Sequence, residues 1–281
     1  MRFIRPWLLS ILLIGGIAAA VSAQAPPPPP TGGIGDLLVA PTRVVFDGRK
    51  RSAELNLANI GQARATYRVS LVRMEMDEIG AFKERPFDPG AEGLQSLFRF
   101  SPREVTLEPQ ESQTVRIQVR KPAELPTGEY RLHMVFRAVP PASAPAPAQT
   151  DGAKGISIKL IPVYGIAIPL IVRHGEMSAK VSITGLVLDA AAHTLRFQLE
   201  RNGNQSVYGD LHATLLSASG APVPFAEATG LAVYTPNVSR HVTMALPFIQ
   251  PLPAGGRIRI TYTLPPQEGG TLLAESVMTI P

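Results

Sequence analysis

The chain of 281 residues contains no cysteine. Disulfide staples and thiolate metal sites are therefore excluded together, and stability has to come from apolar cores. Tryptophan is nearly absent. The single one, Trp7, stands in the leading segment, which weakens any reading as a glycan-binding cleft lined with indole rings. Helical periodicity is almost missing, and so are the local signatures of catalysis. The histidines at 133, 174, 193, 212 and 241 are scattered, with no H-E-x-x-H or H-x-H spacing, so no metal site is expected. No G-x-S-x-G elbow occurs, and Ser217-Ala218-Ser219-Gly220 reads as a hairpin turn. The glycine pairs Gly32-Gly33, Gly255-Gly256 and Gly269-Gly270 lack a following helix, which argues against a phosphate loop. Glu75, Asp77 and Glu78 read as a solvated strand end rather than a cation site. The expectation is a non-enzyme with no catalytic residue, no metal and no cofactor.

Charge is equally restrained. The formal net charge is +5 and drops to +3 if the leading segment, with Arg2 and Arg5, is removed. His133 is expected on the polar face of a half-buried strand, and Arg49-Lys50-Arg51 lies at a turn without interleaved aromatics, so nucleic acid is not an expected partner. The start of the chain indicates export. Arg2 and Arg5 precede the apolar run Trp7 to Val21, and Val21-Ser22-Ala23 offers a small-residue cleavage context. Residues 1–23 read as a cleaved signal peptide. No other stretch is long and apolar enough to cross a bilayer, so no stable membrane insertion is expected. Residues 24–35, with Pro26 to Pro30 in sequence, read as a spacer that favours polyproline II.

What the chain does have is alternation. From Leu38 to Ile60 it reads as strand, Asp47-Gly48 turn, strand, with Arg43 just before the apolar Val44-Val45-Phe46. Strand patterns then recur at Ala65 to Met76, Leu97 to Phe100, Val105 to Leu107, Ser112 to Val119, Glu129 to Val139 and Ile156 to Val172. After His174-Gly175 a second run follows at Ala179 to Leu188, Thr194 to Glu200, Tyr208 to Ser217, Val238 to Leu246, Arg257 to Leu264 and Thr271 to Ile280. Two sets of short strands, each separated by turn chemistry, imply an all-β fold of two immunoglobulin-like sandwiches in tandem, set at an angle. The boundaries are read as 36–174 and 175–281.

Four stretches carry a resemblance to a known family. They are Thr42 to Gly48 (TRVVFDG), Val105 to Pro109 with Gln110 to Ile117, Leu125 to Pro141 (LPTGEYRLHMVFRAVPP), and Ile166 to Arg173 (IAIPLIVR). Over about residues 36 to 175 the chain resembles the PapD-like periplasmic chaperones of the chaperone–usher pilus pathway; the second half matches only in strand count and length. The resemblance implies a periplasmic chaperone that caps pilin-like or other exported β subunits by lending them a strand, with an outer-membrane usher as a second partner. Strand addition draws affinity from main-chain hydrogen bonds and specificity from alternate side chains. The alternative is an exported, non-catalytic binding module for an envelope or cell-surface partner.

In that family an arginine and a lysine anchor the subunit's terminal carboxylate. Arg43 falls on the arginine position. The lysine has two registers: it is Lys159, or the position is held by Pro169 and Arg43 acts alone or with Arg173. In the second register the donor face is Leu160, Pro162, Tyr164, Ile166 and Ile168, apolar at period two. The same alternation also fits an ordinary core face, and Arg43 also fits a plain surface cation.

Overall fold

A computed structural model of the chain describes residues 36–87, 92–140, 164–216, 222–247 and 252–280. The expected signal peptide and spacer, the turn at 217–220, and Lys159, Leu160 and Pro162 lie outside the described residues. What is described is almost entirely strand. The first half contains β1 (Leu37–Ala40), β2 (Val44–Phe46), β3 (Ser52–Asn59), β4 (Ala65–Met76), β5 (Phe82–Arg85), a single helical turn α1 (Glu92–Ser96), β6 (Phe98–Ser101), β7 (Glu104–Leu107), β8 (Ser112–Val119), β9 (Gly128–Val139) and β10 (Gly165–His174). The second half contains β11 (Ala179–Asp189), β12 (Thr194–Gly203), β13 (Val207–Leu216), β14 (Val223–Val233), β15 (Ser239–Ala245), β16 (Arg257–Thr263) and β17 (Leu272–Thr279), with a 3-10 turn at Pro266–Glu268.

Each half is a sandwich because alternation gives every sheet one apolar face to cover. In the first, the sheet β1-β3-β8-β6 faces the sheet β2-β10-β9-β4-β5, with β7 also on β4. Leu55, Leu57, Val115 and Ile117 from one layer meet Leu132, Met134, Phe136 and Leu170 from the other, all essentially inaccessible to water. In the second, β11-β12-β15 faces β14-β13-β16-β17 around Leu195, Leu199, Leu211, Ile258, Ile260 and Tyr262. The two immunoglobulin-like sandwiches expected from the turn spacing are present.

The opening of the chain departs from expectation. β1 pairs antiparallel with β3, Leu37 opposite Asn59, but β2 does not pair with β3. It crosses to the other sheet and runs parallel to β10, with Val44 level with Leu170 and Phe46 level with Val172. The Asp47-Gly48 turn therefore joins two sheets rather than closing a hairpin, and Arg43 lies in the crossover immediately before β2. Asp-Gly reports only that the chain reverses, and which strand receives it is decided by core packing. β5 and β14 were also not anticipated. β5 is exposed along its whole length, and β14 (VPFAEATGLAV) shows no clean alternation because bulges shift its register against β13.

The two sandwiches touch through a small third core of Met76, Ile171, Ala232 and Tyr234, flanked by Val45 and Tyr208. The turn between β4 and β5 is tied across: the His241 N–H donates to the Glu78 carbonyl and Asn237 Nδ2 to the Met76 carbonyl, 2.9 Å. Gly80, at φ +89°, lies flat beneath the Arg240 guanidinium, and a Cβ there would overlap Arg240 Nη2 at 2.2 Å. Two acids of the trio are structural. Glu75 pairs with Arg73 and Arg85, and Asp77 Oδ1 accepts the Ile79 and Ala81 N–H groups, closing the turn.

His133 corrects another expectation. Both faces of β9 are covered at this point, so the residue assigned to a wet face is 2% exposed. Its ring meets Phe82 edge-on at 5.2 Å, and Phe82 in turn meets Tyr234 at 6.0 Å. Burial, and then the Arg131 cation, push its pKa down from 6.5 to about 3. Protonation thus favours the unfolded chain between those values. Stability should be level above pH 6.5 and fall as pH drops towards 3, by at most about 1.4 kcal/mol per pH unit from this group. Urea midpoints at pH 7 and pH 5.5 measure it; His133→Leu should shrink the difference between them, and an unchanged difference would exclude His133 as its source.

Candidate functional site

Between the sandwiches lies a cleft of about 440 Å³ whose charged lining is Arg43, Arg173, Lys180 and Glu268. Arg43 is placed by the crossover into β2, which turns it towards the second sandwich. Its guanidinium stacks 4.4 Å over the Tyr208 ring of β13. Its Nη1 donates to Glu268 Oε1 at 2.8 Å, while its Nε is buried with no partner. The Arg43 side chain is only 10% exposed and that of Glu268 47%. A solvated surface cation would show the reverse. Arg43 is held, oriented and only partly satisfied.

Arg173, at the end of β10, has a different duty. Its Nε donates to Glu129 Oε2 at 3.1 Å and its Nη2 to the Ser206 carbonyl at 3.1 Å. Glu129 has no exposed side-chain surface. It also accepts the Ser206 N–H at 3.0 Å, the Thr235 hydroxyl at 3.1 Å and the Ser206 hydroxyl. A carboxylate so enclosed is stable only while all of these donors are present. Arg173 is therefore committed to joining the sandwiches and is not a free anchor. Its own carbonyl accepts from the Lys121 ammonium, whose pKa is lowered by burial and then by the Arg51 charge, despite Asp47.

Tyr164, Ile166 and Ile168 lie on or beside one edge. Tyr164 is exposed, Ile166 is partly buried against the first core, and Ile168 is 2% exposed inside it. In this state Ile168 is a core residue, so the apolar alternation of β10 is spent at least partly on its own sandwich. Its backbone is another matter. The Ala138 N–H donates to the Tyr164 carbonyl, so even-numbered residues of β10 form the hydrogen-bonded pairs with β9 and odd-numbered ones point their amides away. β2 covers only Leu170–Val172. Gly165 and Ala167 thus present N–H and C=O groups to an edge with no partner strand among the described residues. Pro169, opposite His133, falls in a non-hydrogen-bonded pair and costs no bond to β9.

The residues that sequence reasoning missed here are Glu129, Ser206, Tyr208, Lys180 and Glu268. Glu129 had one signal, as the only acid in a strand that is otherwise apolar or basic over most of its length. The others come from the second sandwich and carry none.

The class is set by the fold, a tandem of immunoglobulin-like sandwiches. Residues 36–173 match the family described as "Pili and flagellar-assembly chaperone, PapD N-terminal domain", and the first sandwich belongs to this PapD-like family as a divergent member. No curated protein matches it. Among solved structures it is similar to the Pseudomonas aeruginosa CupB2 chaperone, 15% identical over 87% of this chain and 100% of that one, TM-score 0.43. The Salmonella enterica SafA pilin–SafB chaperone complex is 18% identical over 88% and 97%, TM-score 0.41. The E. coli chaperone DraB is 18% identical over 87% and 96%, TM-score 0.41.

Removing Glu129 tests the enclosed cluster. Glu129→Ala should lower the unfolding free energy by about 3–5 kcal/mol, because Arg173 is left nearly buried with only the solvated Asp47, at 4.0 Å, as counter-charge. Glu129→Gln, which keeps one acceptor, should cost less. The urea midpoint at unchanged m-value measures both, and a loss below about 1 kcal/mol would place the pair among weak surface bridges.

Proposed function

We propose that the protein is a periplasmic chaperone of pilus or other surface-fibre subunits, acting by strand addition at the β10 edge and anchoring the subunit's terminal carboxylate at Arg43. On this reading residues 1–23 are a signal peptide, 24–35 a spacer, and 36–174 and 175–281 the two domains. The family supports the general activity, and the leading charged and apolar segment supports export.

One observation carries the finer reading, the parallel register of β2 and β10. Val44 is level with Leu170, so Arg43 is level with Pro169, at the point where the uncovered edge ends. A strand added beside Gly165–Ile168 and running parallel to β10 continues the line of β2, and its C-terminus arrives at Arg43. An antiparallel strand would bring an ammonium there instead. The guanidinium favours the first by charge-assisted hydrogen bonding, and the odd-numbered amides of β10 supply the ladder. Covering the subunit's own open edge would also keep it from aggregating. A general envelope-binding module gives no reason for a cation at the end of an open strand edge.

The test is co-expression with exported β subunits encoded beside the gene, reading recovery of soluble subunit. Recovery should depend on the protein, and Arg43→Ala should reduce complex affinity about 10- to 100-fold, the loss expected for one charged hydrogen bond. Equal recovery without the protein would exclude the chaperone activity; equal affinity for Arg43→Ala would exclude the anchor alone.

A further inference from the structure

The partner that Arg43 already has is itself a carboxylate. Glu268 sits at the end of the 3-10 turn and is followed by Gly269 and Gly270, both at positive φ. Its side chain is about half exposed, and it meets the cation at Nη1, which leaves Arg43 Nε buried and unpaired. An arginine fork satisfied on one side only is open to a better-placed carboxylate, since bidentate pairing uses two donors where Glu268 uses one. The charge count of the cleft points the same way. Arg173 is neutralised by the enclosed Glu129. Of the charges that remain in the lining, Arg43 and Lys180 face Glu268 alone. Lys180, exposed near the start of β11, makes no hydrogen bond or ion pair among the described residues. The cleft therefore holds one cation more than its own anions balance.

We infer that this cleft is a carboxylate-exchange site: Glu268 is a tethered competitor that occupies Arg43 in the free protein, and Lys180 is the second cation that holds an incoming carboxylate. This rests on the carboxylate-anchor reading above and goes beyond it in two ways. The second cation comes from the second sandwich rather than from the edge strand, where Pro169 stands. The anchor is also closed until a client carboxylate displaces Glu268, so the empty protein does not present a bare, half-buried cation.

Acetate serves as the probe, which makes the test independent of any subunit. Thermal unfolding midpoints are compared in sodium acetate and sodium chloride at equal ionic strength and pH 7. Glu268→Gln should melt lower than the parent in chloride, and acetate should raise it by about 2–3 °C, as expected of a weak ligand near saturation. The parent, with its site filled, should rise by less than half as much. Adding Lys180→Ala to Glu268→Gln should remove most of the acetate response. Glu268→Ala provides an independent check should the amide variant fold poorly. Equal responses of parent and Glu268 variants, or no response in either, would overturn the competitor role. A response that survives Lys180→Ala would overturn the second cation. Subunit recovery in co-expression reads the chaperone activity separately, so failure of one is not failure of the other.

Discussion

The enclosure of Glu129 is the constraint on which the rest of the site depends. Its carboxylate is shut off from water between the sandwiches, where Arg173 and Ser206 close around it and Thr235 completes the set. An ionised group in that position is tolerated only if its donors are fixed, and those donors come from β10 and from the one end of the second sandwich where β13 begins and β14 finishes. The requirement therefore aligns the two sandwiches, and alignment puts Tyr208 under the Arg43 guanidinium and Glu268 within reach of it. The exposed ion pairs weigh little beside it. Arg64–Glu108 and Arg116–Glu54 are more than half solvated at both ends, and such pairs contribute roughly 0–1 kcal/mol.

A second consequence concerns the strand edge. β10 is covered by β2 for only three residues, because β2 enters from a crossover rather than from a hairpin. Had β2 remained beside β3, the edge of β10 would have been uncovered to its end and Arg43 would have faced another sheet. The crossover both terminates the open edge and sets a cation at its terminus. Strand geometry and charge are thus linked by one short segment, Pro41 to Phe46. The small core of Met76, Ile171, Ala232 and Tyr234 stiffens that arrangement, since Ile171 is an odd-numbered β10 residue whose side chain packs outward onto the second sandwich.

Most strands were legible as sequence. Ala65 to Met76 and Ser112 to Val119 coincide with β4 and β8 because each has one apolar and one polar face, which is what period two reports. β14 was not legible, since two bulges break its period, and β5 was not, since none of its residues is buried. His133 was assigned to the wrong environment for a related reason: alternation describes a strand with one wet face, and this strand has none over residues 132–136. Within the site, Arg43 could be singled out by its place before an apolar run. Arg173 could be found, but not its commitment to Glu129.

By itself, the sequence determined the class of fold, the number of sandwiches, the absence of disulfides and the position of one unusual cation. These follow from composition and from neighbours along the chain, which act at short range. Only the tertiary structure decided where β2 pairs, which arginine is spent on the interface, and that Lys180 and Glu268 share the cleft with Arg43. Arg43 and Glu268 are 225 positions apart. No local pattern links residues at that distance, and only the packing of two independent cores, held in place around one buried carboxylate, brings them to 2.8 Å.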